Sequence, residues 1–261
     1  MRINGSRILL TGATGGLGVA LARALRAHGA HLILTGRRVD ALASLATEID
    51  AVSIAADLSK PADVTRLLDE AGPIEILINN AALPAVGRVI DFSEAEIARA
   101  VDVNLVAAIL LSRAVTTQFV ARGRGHIVLI GSMAGRTTSR GSSIYNATKF
   151  GLRGFALAHR QDLHDTGVGV SIVEPTFVND AGMYADSGVE LPRVVRAVSP
   201  DDVSTAVIRS IEKDIGEIAV APVEQKIQSS LGLVAPSIDA RLQRVLGMGD
   251  VFAAHSGVSK R

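Results

Sequence analysis

The chain has 261 residues, 48% of them apolar, and a formal net charge of +1 from 27 basic and 26 acidic side chains. That size and apolar share can bury one large α/β core, and the charge balance gives no footing for nucleic acid or an anionic membrane surface. Cysteine is absent, which excludes disulfides, thiolate nucleophiles and cysteine-based zinc or iron–sulfur centres.

Residues 1–7 are too polar and short for a secretory signal, and the cytoplasm is the expected location. Residues 7–10 read as a first strand and 17–28 as the helix after it. A second strand spans 31–35, a helix 39–47, a third strand 52–55, a helix 62–70 and a fourth strand 74–78. These strand runs are apolar on both faces, as in a parallel sheet covered by helices. Ser93 and Glu96 have capping-box spacing and open a long helical pattern reaching Val120. Its apolar stretch at 105–111 is far short of a membrane span, so no transmembrane segment is expected. Residues 126–130 form a fifth strand, 143–163 a helix and 168–173 a sixth strand. Such alternation predicts a doubly wound, mostly parallel α/β sheet with helices on both faces, of Rossmann type.

After Pro175 the periodicity breaks, and residues 176–198 read as a loop placed to serve as a substrate lid. A helix is expected after Ser199-Pro200-Asp201-Asp202, a last strand at 217–220 and an amphipathic helix at 237–246. No repeat or linker interrupts the chain, so residues 1–261 read as a single domain.

The first strand runs into Thr11-Gly12-Ala13-Thr14-Gly15-Gly16-Leu17-Gly18. Glycine lets the backbone turn sharply and approach a ligand, and free amides at the helix start can face a pyrophosphate. Gly18 would permit close packing of helix on strand. The second strand ends in Thr35-Gly36-Arg37-Arg38 rather than the acidic residue common in NAD-selective sites. An arginine can hold a 2′-phosphate, so NADP(H) is expected over NAD, with Arg37 as first contact. Asp57-Leu58 and Asn79-Asn80-Ala81-Ala82 follow the third and fourth strands. Asp57 suits the adenine amino group or a turn cap, and the asparagines suit the ligand crevice or turn chemistry.

Tyr145 and Lys149 are four residues apart and share a helix face. A nearby ammonium favours the phenolate, so Lys149 is expected to lower the Tyr145 pKa and fit it for proton transfer. Ser132 follows the fifth strand, where its hydroxyl can bond a substrate oxygen. Asn104 lies inside the long helix and can bridge it locally or fix a water. The six histidines show no metal-binding spacing, and no metal is expected.

Taken together these motifs resemble the short-chain dehydrogenase/reductase family, over nearly the whole chain and most strongly from residue 7 to residue 175. The resemblance implies a dinucleotide-binding catalytic domain with Tyr145 as general acid/base and Ser132 as the orienting hydroxyl. Lys149 would tune the tyrosine and hold the ribose, and Asn104 would support a water-linked proton relay. Cofactor contacts are implied for Gly12, Thr14, Gly16, Leu17, Gly18 and Arg37. Asp57, Leu58, Asn80, Ala81 and Pro175 join them, with Tyr145 and Lys149. A homodimer or homotetramer through the helices at 94–120 and 143–163 is also implied.

The chain departs from the family pattern at three points. Ala82 stands where glycine is usual, Pro175-Thr176 where Pro-Gly is usual, and Asp180 where a threonine is usual. The expected reaction is hydride transfer between NADP(H) and a carbonyl or secondary alcohol. A non-catalytic cofactor-binding or regulatory protein, or an epimerase or dehydratase using transient oxidation, are the alternatives. Phe177, Val178, Met183, Tyr184, Val189 and Leu191 in the expected lid would suit a lipophilic small molecule or anchor the loop to its own domain.

Overall fold

The computed structural model describes residues 1–179 and 196–245, without the side chains of residues 242, 243 and 245. Seven strands form one parallel sheet in the order β3-β2-β1-β4-β5-β6-β7. They are β1 (Arg7–Thr11), β2 (His31–Gly36), β3 (Val52–Ala55), β4 (Ile76–Asn79), β5 (Gly125–Ile130), β6 (Val168–Pro175) and β7 (Glu217–Val220). Strand order reverses between β1 and β4, and the crevice outside their carboxyl ends is where such sheets take ligands.

The two-residue period of each strand sorts its side chains into two cores. Ile8, Leu10, Leu34, Ile78 and Val128 face one way, with Leu21, Leu25, Leu42 and Val207. Those partners come from α1 (Gly16–Ala27), α2 (Val39–Glu48) and α7 (Pro200–Glu212). Leu9, Ile33, Leu77, Ile127 and Leu129 face the other way, with Leu67, Leu111, Phe119 and Leu152. These come from α3 (Pro61–Ala71), α5 (Ala107–Ala121) and α6 (Ser143–Asp162). Fully burying each such side chain contributes roughly 1.5–3 kcal/mol against chain entropy, which is why both faces must be covered.

The long central helix begins at α4 (Glu94–Val101), whose Ser93–Glu96 capping box forms as expected. It passes through a π-helical turn at Asp102–Val106 before continuing as α5. The whole span from Glu94 to Ala121 is long and apolar enough to cross a membrane by length and composition. One face of it, with Ala107, Ala108, Leu111, Val115 and Phe119, is buried against the sheet.

Three other differences from the sequence reading are local. Ile74 lies before β4, and β6 runs to Pro175, two residues past the expected end at 173. A further helix, α8 (Val223–Val234), precedes α9 (Pro236–Val245). Of the expected lid, the two feet are described. Val178 and Val198 form a parallel bridge, with Asn179 N donating to the Val198 carbonyl at 2.9 Å. Val178 is buried in the core and so anchors the segment. Asp180, Met183, Tyr184, Val189 and Leu191 lie outside the described residues, as does the last predicted position of the final helix, Leu246.

His126 is buried on β5, its Nε2 2.8 Å from the Ser171 hydroxyl. Burial pushes its pKa down to about 4 from the ordinary 6.5. The unfolded chain therefore binds more protons between these values, and stability falls as pH drops from 6.5 to 4. The expected loss is about 3 kcal/mol from this residue. His126→Gln should show a correspondingly shallower acid slope in denaturant melts across that window; identical slopes would remove His126 as the cause.

Candidate active site

Three glycine positions let the first β–α turn close on itself. Gly12 has φ +65°, and a methyl group there would lie 2.7 Å from the Ala81 Cα. A methyl group at Gly18 would lie 2.1 Å from the Gly12 carbonyl oxygen. Gly15 is the N-cap of α1; it makes no side-chain cap bond, and the first turn carries no acidic residue. The positive end of α1 is thus left to the crevice, as a pyrophosphate requires.

The turn after β4 is held from both sides. Thr11 Oγ1 accepts from the amides of Asn80 and Ala81, both at 3.0 Å. Asn80 Nδ2 donates to the Thr11 and Gly12 carbonyls at 2.9 and 3.1 Å. From the other side Asn104 Oδ1 accepts from Leu83 N at 2.6 Å, and its Nδ2 donates to the Leu83 carbonyl at 3.0 Å. Asn104 sits in the π turn, fully buried, with Thr148 Oγ1 at 3.4 Å. Its side chain therefore fixes backbone beside the crevice.

At the end of β2, Arg37 and Arg38 are both exposed. The Arg38 guanidinium donates to the Thr14 carbonyl, a link between the two cofactor-side turns that the sequence reading missed. Thr14 itself lies over Gly36, its Oγ1 3.1 Å from where a methyl group on Gly36 would stand. Asp57 accepts from Ser59 N and Oγ through Oδ1 and from Arg99 at 3.3 Å through Oδ2. Burial works against its charge, but the Ser59 bonds and the Arg99 and Arg37 charges hold its pKa below the ordinary range. Leu58, beside it, is buried in the core.

Ser132 follows β5 in extended conformation, and its Oγ accepts from Ala134 N at 3.1 Å. Tyr145 and Lys149 lie one turn apart on α6. Tyr145 is half-buried with the Ser132 hydroxyl close enough to lower its pKa; Lys149 is buried, its Nζ 5.6 Å from the Tyr145 ring centre. That ammonium donates to the Ile130 carbonyl at 2.9 Å, at the carboxyl end of β5. Pro175 ends the neighbouring strand β6. Ser132, Tyr145, Lys149 and the Asn104 clamp thus converge at one end of the sheet.

The electrostatics differ from the sequence expectation. Burial pushes the Tyr145 phenol up to about 12, only partly offset by the Ser132 hydrogen bond. Burial also pushes Lys149 down to about 8. Spacing alone foretold a lowered phenol; desolvation, which spacing does not encode, outweighs it.

Asn146 was also missed. Its Nδ2 donates to the Ala134 and Thr137 carbonyls at 2.6 and 2.7 Å, and its Oδ1 accepts from Ser142 Oγ at 2.5 Å. It ties the Ser132 loop to the helix next to Tyr145. The only sequence signal was the four-residue Ser142–Asn146 spacing at a helix start. Among the described residues no cluster of three or more histidine, aspartate or glutamate side chains could hold a metal ion.

An acid-free helix start above a glycine cradle, with a buried lysine one helical turn from a tyrosine at the same end of the sheet, fits one class: a nicotinamide-dependent oxidoreductase on a Rossmann-type sheet. The chain belongs to the short chain dehydrogenase family, whose model matches residues 6–190. Ketoacyl reductase HetN of a Nostoc species is 34% identical over 262 residues, covering 95% of this chain and 91% of the relative. A short-chain dehydrogenase from Sphingobium yanoikuyae in complex with NADPH has a TM-score of 0.77 at 26% identity, covering 93% of this chain and 95% of that one. The closed form of a serine dehydrogenase complexed with NADP+ has a TM-score of 0.76 at 30% identity, covering 84% and 95%. The protein is an NAD(P)-dependent enzyme of hydride transfer acting on a small molecule.

Because Gly18 has no room for a methyl group, Gly18→Ala is expected to destabilise the fold by about 2 kcal/mol through overpacking. It should also weaken NADPH binding, read by titration of nicotinamide fluorescence. Unchanged melting and binding would show that the turn relaxes freely.

Proposed function

We propose that the enzyme reduces a carbonyl, with Tyr145 as proton donor and NADP(H) as the preferred cofactor. The observation that carries this is Tyr145 one helical turn from buried Lys149, whose ammonium lies 5.6 Å from the ring centre, with the Ser132 hydroxyl near enough to act on the phenol. A phenol held at about 12 is protonated at neutral pH and able to give its proton to a carbonyl oxygen. The Ser132 hydroxyl would orient that oxygen. Lys149, still mostly charged at pH 7, would stabilise the phenolate left behind and hold the nicotinamide ribose. Asn104 would keep the 80–83 backbone fixed against the crevice, and a water relay through Lys149 would lie behind it. When bound, the cofactor supplies the hydride.

Gly12, Thr14, Gly16, Leu17 and Gly18 would hold the pyrophosphate side, and Asp57, Leu58, Asn80, Ala81 and Pro175 the remainder. The pair of exposed arginines at the end of β2, with no acidic residue there, favours a 2′-phosphate. NADP(H) in two structural relatives agrees with that choice. Beside the Tyr145 ring lies a small apolar cluster of Ala85, Ala100, Ile144, Phe92 and Ile97. It suits a lipophilic substrate, and the name of the Nostoc relative points to a ketoacyl compound. Assembly through the two long helices, as dimer or tetramer, fits the exposed Val106 and Val120 on the central one.

Tyr145→Phe is expected to lower kcat for acetoacetyl-CoA at least about a hundredfold with NADPH binding intact. Near-normal turnover would refute the role given to the phenol. Arg37→Ala should weaken NADPH at least about tenfold more than NADH, as loss of one charge-assisted phosphate contact implies. Equal losses for both cofactors would remove the 2′-phosphate argument.

A further inference from the structure

Behind the Ser132 loop lies a group of four charges. Arg136 closes the short turn after Ser132, and its Nε donates to Glu174 Oε2 at 2.5 Å. Its Nη2 is 2.8 Å from Glu217 Oε1. Arg153, one turn beyond Lys149 on α6, donates from Nε to the same Glu217 oxygen at 2.7 Å. That Nε is 3.6 Å from Glu174 Oε1. Glu174 is wholly buried near the carboxyl end of β6, and its Oε1 accepts no hydrogen bond. A methyl group on Gly135 would lie 2.8 Å from the Lys149 carbonyl oxygen and 3.5 Å from Glu174 Oε1. The carboxyl group therefore sits where the serine loop touches the helix bearing Tyr145 and Lys149.

Stability does not account for this arrangement, because well-packed apolar side chains serve a core as well as a buried ion pair. What the charges do provide is direction: each arginine ties one active-site element to β6 or β7. We propose that Glu174 is a positioning residue, which with Glu217 holds Arg136 and Arg153 and so fixes the Ser132 loop against the Tyr145–Lys149 helix. Its bearing on catalysis rests on the reading that Ser132 and Tyr145 are the working hydroxyls.

The charged groups facing Glu174 are Arg136 from the loop, Arg153 from α6 and Glu217 from β7. Burial pushes Glu174 up to about 7 against the pull of Arg136 and Arg153, and the Glu217 charge adds to the rise. Burial also opposes charge on Glu217, but Arg153 and Arg136 carry it below the ordinary range. Protonated Glu174 loses its negative charge and becomes a poorer acceptor for Arg136. The hold on the loop is full above pH 7 and relaxes as pH falls through it.

The test is amide hydrogen exchange of the full chain, corrected for intrinsic rates, from about pH 6 to about pH 8.5. In the wild type, peptides covering residues 131–137 should gain about tenfold protection across that range. Glu174→Gln should lack the gain and exchange equally fast throughout, while peptides from α1 stay protected. The same variant should lose about tenfold in kcat for acetoacetyl-CoA with the KM for NADPH unchanged. Identical loop protection in both proteins, or loss of protection across the whole chain, would overturn the proposal. The double variant Arg136→Met/Glu174→Gln, which removes the buried charge together with its partner, should melt like the wild type yet leave the loop unprotected. Recovered loop protection in it would also overturn the proposal. A wild type inert toward carbonyls but with the expected exchange would sink the function proposed above and leave the hold on the loop standing.

Discussion

The architecture of this enzyme depends on how closely two backbones meet at the first strand–helix turn. The Gly12 turn presses on Ala81 beyond β4, and Gly18 presses on Gly12. Thr11 closes the contact by accepting two amides from the far side. With Thr11 and Asn80 tying the two turns together, the helix start, the end of β1 and the end of β4 act as one rigid rim. A dinucleotide needs that rim because its phosphates are recognised by backbone amides, whose positions no rotamer can adjust.

The other side of the crevice is built on a different principle. There the backbone is held apart by side chains: Asn104 grips Leu83, Asn146 grips the Ser132 loop, and the Arg136–Glu174 pair braces that loop from behind. Nearly all the polar groups buried here are bonded, which is what makes them tolerable; Glu174 Oε1 is an exception. The same desolvation that demands those bonds raises the Tyr145 phenol and lowers Lys149. Packing and acid–base behaviour are here one property of the site.

Much of this was legible in the sequence. Strands buried on both faces announce themselves as unbroken apolar runs, and Tyr145 and Lys149 declare their shared helix face by spacing. The glycine motif states its own geometry, since only a residue without Cβ fits at positions 12 and 18. What escaped reading has physical reasons. The π turn around Asn104 inserts one residue into a pattern that looks α-helical. Glu174 is a single acid within an apolar strand, and its partners come from three separate elements. Arg38 rather than Arg37 touches the Thr14 carbonyl because side-chain reach across a turn depends on torsions, not on order in the chain. The effect of burial on Tyr145 escaped the sequence because spacing tells which charge is near but not how much water has been removed.

The bridge between Val178 and Val198 joins the two feet of the segment that follows β6. Asn179 N and Val198 N donate across it in opposite directions, so those feet are stapled at a set separation. Their spacing is set by main-chain atoms, and of the side chains at the join only Val178 is sunk in the core, so most substitutions at either foot leave the separation as it is.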